Sequence, residues 1–150
     1  MKKTLRNKET KEILTTIKEA YGIDDFSKKD KFEINDNIII INNDACFFYY
    51  EKKLIPVLKI LLKKNPIKKV TVDMGAVPFI VKGADLMRPG ITKLDDDITK
   101  NEIVTIVDET HGKCLAVGVT IFSGSEILEM KSGKVIKIIH YVGDELWNYH

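Results

Sequence analysis

Three clusters of residues have types and spacing suited to chemistry. Asp73-Met74-Gly75-Ala76 precedes a short apolar stretch, Lys82-Gly83-Ala84-Asp85 follows it, and Arg88-Pro89-Gly90 marks a turn shortly after. Glycine and alanine let a phosphate backbone approach main-chain amides, and lysine and arginine supply the opposite charge. Elsewhere, His111 and Cys114 stand at half of a zinc-site spacing, but a structural zinc needs four ligands and no second pair is present. The run Asp95-Asp96-Asp97 reads as a solvated acidic loop, because hard cations draw ligands from several places. Asp73, at a strand–helix junction, reads as a carboxylate favoured by helix N-terminal amides. The sequence has no Gly-x-Ser-x-Gly, no phosphate-binding Walker loop, no Gly-x-Gly-x-x-Gly and no His-Glu-x-x-His. It therefore points to binding rather than catalysis, with no catalytic residue, metal or cofactor expected. Tyr49, Tyr50, Tyr141, Trp147 and Tyr149 are candidate base-stacking residues.

Charge supports a polyanionic partner. The chain has 150 residues and a formal net charge of +2. Residues 1–66 carry +4 and residues 67–150 carry −2. Lys52, Lys53, Lys59, Lys63, Lys64, Lys68 and Lys69 lie in one stretch without an acid, the footprint of a phosphate-backbone binder or of a solvated face. Cys46 and Cys114 are two distant cysteines in apolar runs, expected to be reduced and buried in a cytoplasmic protein. The longest apolar runs are four to six residues, against about 20 for a membrane-spanning helix, so no membrane partner is expected.

The elements that must position these residues are short. Ile13, Leu14, Ile17, Ala20 and Tyr21 recur at helical spacing, and Gly22 stands where a helix C-terminal glycine belongs. Residues 32–34, 37–41 and 45–50 read as strands. Leu54, Leu58, Leu61 and Leu62 read as a second amphipathic helix with Pro56 in its first turn, ended by Asn65-Pro66. Beyond that proline, residues 69–72, 102–107, 113–121 and 134–142 read as strands. Proline near the start and glycine past the end frame a short helix within 73–83. Ser123-Gly124-Ser125-Glu126 is a capping box. Gly143-Asp144 is expected to turn the chain into a last strand, 145–149, with Trp147 and Tyr149 on one face. Phe79 and Met87 are expected in the core. The fold class is α+β: a small α+β domain, 1–66, followed by a closed or nearly closed β-barrel with short helices, 67–150.

The stretch from Val72 to Ile91 carries Asp-x-Gly-Ala, an apolar helix and Gly-Ala-x-x-Met-x-Pro-Gly. It resembles a PUA domain, the RNA-binding module named for pseudouridine synthases and archaeosine transglycosylases. The ending, residues 133–147, is similar to that of the malignant-T-cell-amplified-sequence proteins and their translation-machinery-associated relatives. The hairpin into Phe47-Phe48 and the lysine-rich segment ending at Pro66 resemble that family's N-terminal domain. The resemblance covers nearly the whole chain, strongly at 70–91 and 133–147 and loosely before residue 45. The composition, rich in lysine and isoleucine, suggests an archaeal member.

The resemblance implies a six-stranded pseudobarrel that binds structured RNA, tRNA or rRNA, and not DNA. Carried onto this sequence, the RNA surface comprises Lys69, Gly75, Ala76, Lys82, Gly83, Ala84, Arg88, Pro89, Gly90 and Lys93. It implies a role in translation, at the small ribosomal subunit or on tRNA, with an initiation-factor-like protein as partner. The alternatives are an accessory RNA-binding subunit of an RNA-modification or ribosome-assembly complex, and a protein-interaction adaptor.

Overall fold

The computed structural model describes residues 1–149. The chain divides into two compact units, one built on residues 1–66 with Tyr149, the other on residues 67–148.

The first unit begins with strand β1 (Lys2–Thr4) and helix α1 (Asn7–Tyr21). α1 opens with the Arg6 amide donating to the Glu9 carboxylate. It closes at Gly22, whose φ of 66° lets the Gly22 and Ile23 amides fold back onto Lys18 and Ile17 carbonyls. Strands β2 (Phe32–Asn35), β3 (Ile38–Ile41), β4 (Asp44–Tyr50) and β5 (Lys53–Pro56) follow, then a single turn, α2 (Leu58–Leu61). The sheet is an antiparallel meander in the order β1-β2-β3-β4-β5. Ile13 and Ile17 of α1 pack with Phe32, Ile39, Ile41 and Phe47.

The expected second helix is corrected here. Residues 53–56 form a strand, pairing Tyr50 with Lys53 and Phe47 with Pro56. The cause is the turn before it: Glu51 and Lys52 both take left-handed backbone, at φ 46° and 69°. Two such residues make the tight turn whose twist matches a hairpin. Neither is the glycine or asparagine that announces it. Lys52 and Lys53 therefore belong to a hairpin, and Lys59 alone of the lysine run lies within α2.

The second unit comprises β6 (Lys69–Val72), α3 (Val77–Ile80), β7 (Leu86–Met87), a 3₁₀ turn (Arg88–Gly90), β8 (Ile91–Leu94), β9 (Ile103–Asp108), β10 (Cys114–Thr120), α4 (Gly124–Glu129) and β11 (Lys134–Tyr141). Its sheet runs β7-β11-β10-β9-β6-β8, with β6 and β9 parallel. The two outermost strands, β7 and β8, are joined by only the three-residue turn, so the sheet curls round on itself. Its interior is filled by Val70, Val72, Val104, Ile106, Val135 and Ile136, among others. The capping box forms as expected, Ser123 accepting from the Glu126 amide and Glu126 from the Ser123 amide. Both cysteines are buried and free. Burial pushes the Cys46 thiol up to about 11 and raises Cys114 as well. No helix among the described residues is long and apolar enough to cross a membrane.

The final expected strand is also absent. Residues 142–148 form turns gathered on the Asp144 side chain. Its carboxylate accepts from the Tyr141 amide at 2.9 Å and the Trp147 amide at 2.7 Å, and meets His140 Nδ1 at 2.9 Å. A side chain that takes amides on both sides of itself winds the chain instead of returning it as a ladder. Tyr149 hydrogen-bonds Asn35 instead.

Burial favours the neutral form of Asp144, but the hydrogen bonds from His140, Trp147 and Tyr141 outweigh it and hold the carboxyl below its usual range. Such a group stabilises the fold in full above the unfolded-state value near pH 4, and that contribution is lost as pH falls through the lower folded-state value. Asp144→Asn should cost roughly 2–3 kcal/mol in urea unfolding at pH 7. The gap to the parent should narrow below pH 4; a gap independent of pH would show that the carboxylate charge is not what holds this segment.

Candidate nucleic-acid interface

The Asp73–Ala76 segment and α3 form a tight structure. Asp73 accepts the Ala76 amide on Oδ1 at 2.9 Å, and its own amide donates to the Gly90 carbonyl at 2.9 Å. A Cβ on Gly90 would stand 3.1 Å from the Ala76 Cβ, so the 3₁₀ turn lies directly against the start of α3. Gly83 has a φ of +87°, and a Cβ there would fall 2.8 Å from the Tyr141 ring. That position needs glycine for both backbone and space.

α3 has four residues and buries one of them deeply, Ile80, at 1% exposure. Its neighbour Phe79 must then face outward, and it is 66% exposed. Met87 is 50% exposed and Met74 45%. The core placement expected of Phe79 and Met87 is thus reversed, for a plain reason. A one-turn helix and a two-residue strand each have one inward position, taken by Ile80 and by Leu86. Apolar character alone does not mean burial in elements with a single inward position. Adjacent apolar residues in elements this short were the available signal.

Between these parts lies an open groove of about 430 Å³. Gly75, Ala76, Phe79, Met87, Pro89 and Gly90 form its walls over Ile80 and Leu86. Asp73 and Asp85 also line it, and no basic side chain does. Asp85 is engaged: Oδ1 accepts the Ile138 amide at 2.9 Å and Oδ2 faces Lys134 Nζ at 3.4 Å.

The other expected site residues sort by what they already hold. The Lys82, Gly83 and Ala84 amides donate back to carbonyls of Phe79 and Ile80, and the Ala76 amide is taken by Asp73. They are not free to cradle a phosphate. Arg88 donates from Nε to the Ile127 carbonyl at 2.6 Å and from Nη1 to that of Ile91 at 3.4 Å. It ties the turn to α4 and offers no unoccupied two-pronged fork. Lys82, Lys69 and Lys93 are exposed, with no ion-pair partner among the described residues. Thr71 stands opposite Lys93 across β6 and β8, and Lys69 shares the outward face of β6 with Thr71. Lys93 lies three residues past Gly90, about 10 Å along an extended chain. His111 and Cys114 do not combine: the ring sits exposed in a turn on Asp108, while the thiol is buried. Among the described residues no three His, Cys, Asp or Glu side chains gather as a metal site.

The family model of the PUA domain matches residues 68–142. This chain belongs to the PUA-domain family. A second model, of a domain of unknown function, DUF1947, matches residues 2–64. An uncharacterized protein of Methanocaldococcus jannaschii is 44% identical over 121 residues, 80% of this chain and 72% of that one. Translation machinery-associated protein 20 of Saccharomyces cerevisiae is 34% identical over 116 residues, 73% of this chain and 64% of the yeast protein. The chain thus spans under two thirds of the yeast relative's length. The solved structure of a conserved PUA domain protein from Thermoplasma acidophilum superposes with a TM-score of 0.79 at 33% identity, covering 99% of this chain and 98% of that one. The α+β architecture expected of a PUA protein is the one observed.

The site separates two kinds of residue by stability. Arg88→Ala should cost about 1.5–3 kcal/mol, since it removes charge-assisted hydrogen bonds to two carbonyls. Lys82→Glu and Phe79→Ala should stay within about 0.5 kcal/mol of the parent. Thermal and urea unfolding of the three variants measures both; a neutral Arg88→Ala would free that arginine for ligand binding.

Proposed function

We propose that this chain is an RNA-binding protein of the cytoplasmic translation machinery, acting at the small ribosomal subunit or on tRNA by binding rather than by catalysis of its own. The observation that carries this is the exposed Phe79 at the wall of an apolar groove, in a chain that belongs to an RNA-binding domain family. A solvent-exposed aromatic beside a groove of this size suits an unstacked base, and base–aromatic stacking contributes about 1–3 kcal/mol. Lys82, Lys69 and Lys93 supply phosphate contacts around the groove. Gly75, Ala76, Gly83, Ala84, Pro89 and Gly90 shape it, and Arg88 holds its turn in place. The similarity to a translation machinery-associated protein supports the translational setting, with an initiation-factor-like protein as partner.

Binding to purified small subunits and to tRNA across a salt series tests this. Log affinity should fall linearly with log salt, by about 0.7–0.9 for each phosphate contact. Phe79→Ala should weaken binding roughly tenfold without changing that slope, whereas Lys82→Glu should weaken it and flatten the slope. Co-purification with a modification enzyme instead of small subunits would favour an accessory subunit. Absence of any RNA binding at low salt would reject the proposal in favour of a protein adaptor.

A further inference from the structure

The groove walls are apolar, and the two charged residues lining it are both acids. A phosphate entering it would meet two carboxylates and no basic side chain. The chemistry therefore suits the flat face of a base, with charge kept outside on the lysines. The two acids differ. Both oxygens of Asp85 are engaged, by the Ile138 amide and by Lys134. Asp73 uses Oδ1 for the Ala76 amide, and its second oxygen has no hydrogen-bond partner among the described residues. The groove thus has one charged acceptor to offer and needs a donor from its occupant.

Resting on the RNA-binding proposal above, we infer that Asp73 is a specificity-determining residue: the groove selects a single-stranded base bearing an exocyclic amine, cytosine, adenine or guanine, over uracil. An exocyclic amine presents N–H to a carboxylate, the pairing used when an aspartate or glutamate reads cytosine N4. Uracil has only an imino N–H flanked by two carbonyl oxygens, whose lone pairs face the approaching carboxylate. A site built around a buried or partly buried acceptor discriminates strongly against a ligand that leaves it unpaired.

The test uses the full chain and fluorescein-labelled ten-nucleotide oligoribocytidylate and oligouridylate. They have the same length and phosphate charge, so only the bases differ. Fluorescence anisotropy should show cytidylate binding about tenfold tighter than uridylate, the value of one charge-assisted hydrogen bond. Asp73→Asn retains an acceptor for the Ala76 amide and replaces the free acceptor with a donor. It should keep the parent's melting temperature, lose the cytidylate preference and bind uridylate more tightly than the parent does. Asp73→Ser, whose hydroxyl also accepts that amide, should lose the preference without the gain for uridylate. Phe79→Ala should weaken both oligonucleotides and leave their ratio unchanged. Equal affinity of the parent for both, or a preference that survives in Asp73→Asn, overturns the assignment while leaving RNA binding intact. Failure of both to bind at low salt overturns the RNA proposal itself.

Discussion

A helix of one turn can bury only one face. In α3 that face belongs to Ile80, and the constraint propagates outward from it. Phe79 is left in solvent, and Met87 is left there by the same rule in the two-residue β7. The turn joining the two outermost strands brings Gly90 against Ala76, close enough that a larger residue would part them. Gly83 lies under the Tyr141 ring and fixes the other end of the helix. The groove is the space these contacts leave. Its apolar walls cannot be removed by repacking, because no inward position is vacant for their side chains.

The electrostatic pattern divides labour around that groove. The Ala76, Lys82, Gly83 and Ala84 amides are taken by neighbouring residues, and Arg88 is consumed by α4 and β8 carbonyls. Under the RNA-binding proposal, phosphate attraction falls to exposed lysine side chains, where long flexible ammonium groups act as point charges rather than fitted forks. On the RNA-binding proposal, acids within and cations around would repel the backbone from the groove and hold it at the rim. This departs from a phosphate cradle of glycines, although the same residues build both.

Much of this was legible in the amino-acid sequence, where local signals are strong. Helical spacing with Gly22, the Ser123–Glu126 capping box and the turn at Arg88-Pro89-Gly90 each carry their own stereochemistry. The failures share a cause. Glu51 and Lys52 adopt left-handed backbone because the strands on either side pair, a tertiary effect that no residue type there announces. Asp144 looks like half of a hairpin turn, yet its carboxylate collects amides on both sides and winds the chain. Phe79 reads as core until the helix holding it proves one turn long. Gly75, Pro89 and Gly90, which line the groove, are legible in the sequence as turn formers. Whether an amide, a guanidinium or an aromatic ring was free depended on contacts between segments distant along the chain, such as Arg88 with Ile127.

The central claim is that RNA places a base in the groove beside α3. The chain has four methionines, Met1, Met74, Met87 and Met130. Met87 is exposed in the groove wall and Met74 is exposed between Asp73 and Gly75, which line it, whereas Met130 packs against the second unit's core. Titrating ¹³C-methyl-methionine protein with single-stranded RNA reads all four by NMR. The account predicts that the Met87 and Met74 methyls move together and saturably while Met130 stays fixed. RNA binding that leaves Met74 and Met87 unshifted would contradict it.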